Sequence, residues 1–157
     1  MMHRSWITAV AATALALATL VTLATPSPVL AREAGMIKVS AGEAWIERAG
    51  ARLAARVGDK VQPSDVIVTG PKGAVGITFA DDSRLSIGPN SVLAIDRFVF
   101  DSTTHAGVSE TSLRKGTLAA VSGKLTRQST EAMKVRTPAA ILGVRGTEFL
   151  IRTGPAD

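Results

Sequence analysis

The chain has no cysteine and no tyrosine, and only four phenylalanines and two tryptophans among its 157 residues. Without cysteine, disulfides and thiolate chemistry are both closed to it. Its two histidines are His3, near the N-terminus, and His105. A histidine-based metal site or a Ser-His-Asp triad therefore has no residues to build it. The few aromatics exclude stacking platforms for single-stranded nucleic acid. No segment after the first thirty residues keeps a helical hydrophobic period beyond a few turns, which excludes a helical bundle.

The first segment belongs to targeting rather than to the fold. His3 and Arg4 make a short basic start, Ile7 to Thr25 is apolar and uncharged, and Pro26 and Pro28 break the run. Val29-Leu30-Ala31 then fits a small-x-Ala cleavage pattern. This reads as a secretory signal peptide, residues 1–31, removed on export. The alternative is an uncleaved membrane anchor, since the run approaches the ~20 residues needed to span a bilayer. Residues 32–157 form one domain by size, long enough to bury a core without staples.

That domain reads as strand after strand. Val75, Ile77 and Phe79 alternate with Ala74, Gly76 and Thr78, and Leu85 and Ile87 with Arg84 and Ser86, so a hairpin is predicted there. Pro63-Ser64-Asp65 is turn chemistry before the β-branched run Val66-Ile67-Val68-Thr69. Ser91 to Phe100 is apolar on both faces and predicts a central, doubly covered strand. Thr111 to Lys115, Gly116 to Val121 and Gly123 to Gln128 read as further short strands. Turns recur every 8–12 residues or so, the spacing of a sandwich or barrel.

The stretch from Met133 to Arg152 carries the most specific pattern. Arg136-Thr137-Pro138, a short apolar spacer, then Gly143-Val144-Arg145-Gly146-Thr147-Glu148-Phe149 resembles the closing signature of the FecR-like domain. That domain is known from periplasmic parts of bacterial iron-uptake signalling proteins. The resemblance extends upstream through Trp45, Gly58-Asp59, Asp65 to Gly70, Phe79 to Leu85, Gly88 to Ser91 and Leu113 to Leu118. It implies an all-β fold, with short strands in a solenoid-like or sandwich arrangement. It also implies an envelope-signalling role, while the poverty of catalytic groups in the sequence argues against an enzyme. Asp82 stands where the family's turn usually has Gly, and Asp tolerates left-handed geometry better than most residues. The chain shows no counterpart of the cytoplasmic anti-sigma segment and spanning helix of the signalling members, which argues against a sigma-regulating role. It also ends soon after Phe149-Leu150-Ile151, so the last strand is expected at a sheet edge.

Charge divides unevenly. Residues 32–110 carry 9 basic and 10 acidic residues, net −1, and residues 111–157 carry 8 and 3, net +5. This basic half includes Arg136, Arg145 and Arg152, a face suited to an anionic partner if it is not simply a solvated surface. Export disfavours nucleic acid as that partner. Asp81-Asp82 is the one adjacent carboxylate pair, and a turn accounts for it better than acid–base catalysis or a hard-cation site, because neighbours on a strand point apart. Arg145 suits either an internal pair with Glu148 or a bidentate grip on a partner's carboxylate or phosphate. Thr147 has no nearby base, so nucleophilic catalysis is unsupported.

The expectation is thus an exported, non-enzymatic module of the periplasm without metal or cofactor. It would act as a sensor or adaptor for an envelope protein; binding of an anionic polymer such as peptidoglycan is the alternative. The membrane is a partner only if the leader stays. Arg136, Arg145, Leu150 and Arg152 are the candidate contact residues. Thr137, Pro138, Gly143, Gly146, Thr147 and Phe149 are the structural motif. Thr147, Phe149 and Ile151 should share the inward face of the last strand, with Glu148, Leu150 and Arg152 facing out.

Overall fold

A computed structural model describes residues 33–129, 131–144 and 148–154. The leader, residues 1–31, and Arg145, Gly146 and Thr147 of the signature lie outside the described residues. Among the described residues twelve strands follow one another: β1 (Gly35–Ala41), β2 (Ala44–Arg48), β3 (Ala51–Ala54), β4 (Lys60–Val61), β5 (Val66–Thr69), β6 (Ala74–Phe79), β7 (Arg84–Ile87), β8 (Val92–Phe100), β9 (Gly107–Val121), β10 (Met133–Arg136), β11 (Ile141–Gly143) and β12 (Glu148–Thr153). One short helix, α1 (Leu125–Gln128), separates β9 from β10. Among the described residues no helix is long and apolar enough to cross a membrane.

The strands form one sheet curled into a half-barrel, best followed as two halves that share β9. The first half runs β4-β1-β6-β7-β9-β12, and the second β3-β2-β5-β8-β9-β10-β11. All pairs are antiparallel except β9 with β10. The all-β expectation holds, in the form of a single curled sheet.

Two glycines make the corners. Within β9, residues 107–115 pair with β8, and residues 116–121 pair with β7 and β12. Between these stretches lies Gly116 at φ +96, where an added Cβ would overlap the side chain of Ser91. Gly42, at φ +64, stands between β1 in one half and β2 in the other, and its added Cβ would meet the Lys72 carbonyl. Both sites need a left-handed backbone and a close approach that only Gly allows. The sequence reading split β9 into two strands at Gly116. The chain bends there without leaving the ladder, so that reading is corrected. Gly123 to Gln128, read as a strand, instead contains α1, which drives Leu125 fully into the core.

One hydrophobic cluster fills the curl. Ile37, Ile77, Leu85, Ile87 and Leu118 enter it from the first half, and Ile46, Ile67, Leu93, Ile95, Leu113 and Val135 from the second. Phe79 of β6 meets Phe98 of β8 at 5.1 Å between ring centroids, tilted by 40°, a favourable aromatic geometry across the two halves. The predicted β6–β7 hairpin forms with Val75 opposite Ile87 and Ile77 opposite Leu85. β8 is central, but its double coverage ends at Ile95, because Asp96 and Arg97 stand exposed at a bulge.

The Asp81-Asp82 pair is a turn. Asp81 is buried and accepts hydrogen bonds from Ser83 N at 3.1 Å and Ser83 Oγ at 2.6 Å. Asp82 takes φ +67, as its place in the family's usual Gly position required, and pairs with Lys124 at 2.7 Å. The Lys124 hydrogen bond and charge hold the Asp82 carboxyl below its ordinary pKa.

Candidate functional site

A curled sheet that does not close leaves two flanks where the halves face each other through unpaired strand edges. At one flank stand β3 and β4, at the other β11 and β12. They differ in chemistry.

The β3/β4 flank opens on a cleft of about 660 Å³ lined by Ile46, Arg48, Arg52, Leu53, Asp59 and Lys60, among others. Arg48, Arg52, Lys60 and Glu33 of its lining are engaged in ion pairs. Arg48 grips buried Asp65 in a bidentate pair, Nε to Oδ1 and Nη2 to Oδ2, both 2.7 Å, and Nη2 also donates to the Lys60 carbonyl. Gln62 N donates to the same carboxylate at 2.8 Å. The Asp65 hydrogen bond raises the Arg48 pKa, outweighing burial, which acts to lower it. Lys60 pairs with Glu33, and Arg52 lies 4.1 Å from the Trp45 ring centroid with Glu47 at 3.6 Å. Such paired charge at an edge discourages a further strand.

The β11/β12 flank holds the signature. β10 and β11 form a hairpin whose turn is Thr137-Pro138-Ala139-Ala140. Thr137 N donates to the Ala140 carbonyl at 2.8 Å, and Ala140 N donates to Thr137 Oγ1 at 3.0 Å. Pro138 presets the second position of that turn and has no N–H to leave unsatisfied. Leu142 lies opposite buried Val135 and so faces inward, while Ile141 lies opposite Arg136 and faces out. β12 pairs with β9 on one side: Glu148 opposite Val121, Leu150 opposite Ala119, Arg152 opposite Thr117. Among the described residues its other side has no strand.

The expected alternation of β12 is present. Phe149 and Ile151 pack against the core, and Glu148, Leu150 and Arg152 are exposed. Two clefts of about 250 and 290 Å³ run between β11 and β12, with Leu142 and Ile151 lining both. Ile141 is 64% exposed, Leu142 40% and Leu150 68%. A strand edge flanked by the exposed aliphatic side chains Leu142 and Leu150 is poorly protected against an incoming strand.

Of the residues singled out from the sequence, the flank brings together Thr137, Pro138, Gly143, Phe149, Leu150 and Arg152, which line its two clefts. Arg136 is not among them. Its guanidinium reaches toward Glu110 of β9, at 3.9 Å, on the outer face of the second half. Ile141 and Leu142 were passed over as a spacer, although four apolar residues between Pro and Gly were a visible signal. Among the described residues no three metal-ligating side chains converge.

The sequence pattern of the FecR protein family matches residues 65–157. The match begins at Asp65, so Trp45 and Gly58-Asp59, read as the family's opening, lie before it. No curated protein matches the chain. A solved structure described as a cell surface anchoring domain is 26% identical, over 38% of this chain and 80% of that one, with a TM-score of 0.37.

Proposed function

The chain belongs to the FecR protein family, and from that premise we propose that it is an exported, non-enzymatic sensor or adaptor that binds an envelope protein through the β11/β12 flank. The observation that carries this reading is the pairing of an open β12 edge with exposed Leu142 and Leu150. An edge of this kind takes up an extended segment of a partner, main chain to main chain, and adjoining clefts select its side chains. Family membership supports the envelope-signalling role. The leader supports export to the periplasm, with the mature chain beginning at Arg32. N-terminal sequencing of protein from the envelope fraction checks this, and an intact Met1 in the membrane would mean an anchor instead.

The second reading, an anionic polymer such as peptidoglycan, draws on exposed Arg114, Lys115 and Arg136 on neighbouring strands. One experiment separates the two. Mature protein is used to capture partners from envelope extract and, in parallel, is sedimented with purified peptidoglycan. Stoichiometric recovery of one envelope protein, lost with Leu150→Lys, supports the flank. Salt-sensitive sedimentation with the glycan and no protein recovered supports the polymer. Glycan cleavage by the pure protein would overturn the non-enzymatic reading.

A further inference from the structure

The outward face of β12 reads Glu148, Leu150, Arg152: an acid and a base placed symmetrically about a leucine. They stand four residues apart on a strand, about 13 Å, too far to meet each other. Their neighbours across the ladder on β9 are Val121 and Thr117, neither of them charged. No ion pair engages either of them among the described residues.

We propose that the β12 edge pairs with the β12 edge of a second copy of this chain, antiparallel, about a two-fold axis at Leu150. Residues directly opposite in an antiparallel pair share a face. That axis sets Leu150 against Leu150 of the other copy, Glu148 against its Arg152, and Arg152 against its Glu148. On the inward side Phe149 meets Ile151 and Ile151 meets Phe149, aromatic against β-branched, and this continues the core stripe across the axis. A two-fold contact must be self-complementary in this way. Moving the axis by one residue destroys the match. An axis at Ile151 sets Leu150 against Arg152, and one at Phe149 sets Glu148 against Leu150. A five-residue ladder flanked by two shallow clefts is a small interface, so the dimer is reversible.

The inference rests on the reading that the β12 edge is an open contact surface, but not on the identity of any envelope partner. The test is sedimentation velocity of the pure mature chain over a wide concentration range. Wild type should move from monomer to dimer as concentration rises. Glu148→Arg and Arg152→Glu each set like charges opposite, and each should remain monomeric. An equimolar mixture of the two variants restores both pairs and should dimerise, as should the double variant carrying both changes. Both positions are exposed, and recovery in the double variant excludes misfolding as the cause. A wild type that stays monomeric overturns the proposal, as do single variants that dimerise undiminished or a mixture that stays monomeric. If self-association fails while an envelope protein is still captured through Leu150, the partner reading stands and only the second copy is lost.

Discussion

The two flanks of the curled sheet face the same physical problem and meet it differently. Each ends in unpaired strand edges over the rim of one core. At β3/β4 the rim is occupied by ion pairs, with Arg48 on Asp65 and Lys60 on Glu33, and by Arg52 lying over Trp45. Leu53 is exposed there, but it shares its cleft with Arg48, Arg52, Arg56, Asp59 and Lys60. At β11/β12 the rim holds Leu142, Phe149, Leu150 and Ile151, and no ion pair engages Glu148 or Arg152 among the described residues. Charge on a rim satisfies itself and repels an incoming strand, whereas aliphatic side chains beside open backbone groups invite one. On the reading proposed above, the first flank serves stability and the second serves contact.

The largest expected effect tests the first half of that assignment. Arg48→Met removes one partner of a pair whose carboxylate is buried, and it should cost about 3–5 kcal/mol of unfolding free energy in urea. Adding Asp65→Leu should recover most of the loss, since the uncompensated buried charge is then gone. A single variant as stable as wild type would show that the charged rim is ornamental. Next in size is Phe149→Ala on the opposite flank. Phe149 is half-buried against the core, so its truncation should cost about 2 kcal/mol, half the loss for a fully buried Phe. Thermal melting reads this, and a cost as large as that of Arg48→Met would erase the contrast between the flanks.

Much of the second flank was legible in the sequence, because period-two alternation is local. Phe149 and Ile151 inward, Leu150 outward, needed no knowledge of what β12 pairs with. Asp82 at positive φ was legible for the same reason: a turn's backbone angle is set by the residue and its immediate neighbours. The first flank was not legible. Asp65 looked like a turn residue, and it is one, but the partner that makes it matter is Arg48, seventeen positions earlier and on another strand. Gly116 misled in a related way. A Gly between two alternating runs signals either a loop or a corner, and only the approach of Ser91, distant in the chain, decides for the corner. That Arg136 lies within 3.9 Å of Glu110 on β9 was not legible either, because a parallel register is not readable from spacing.

The smallest effect on stability should come from Leu150→Lys, and there the comparison is sharpest. Leu150 is 68% exposed and lies opposite Ala119, so little apolar contact is lost when it is replaced. Substitutions at such surface positions usually stay within about 0.5 kcal/mol. The chain supports the exchange, since Lys on an edge strand is a common device against unwanted pairing. The melting temperature at low protein concentration should therefore match that of wild type. The association behaviour should not. On a two-fold axis the new ammonium faces its own copy, and toward any other incoming strand it replaces an aliphatic anchor with a hydrated charge. Dimer content and partner capture should both fall while the fold stays as it was. A Leu150→Lys chain that melts early would place Leu150 in the core, and one that melts normally and associates undiminished would move the contact surface away from this flank.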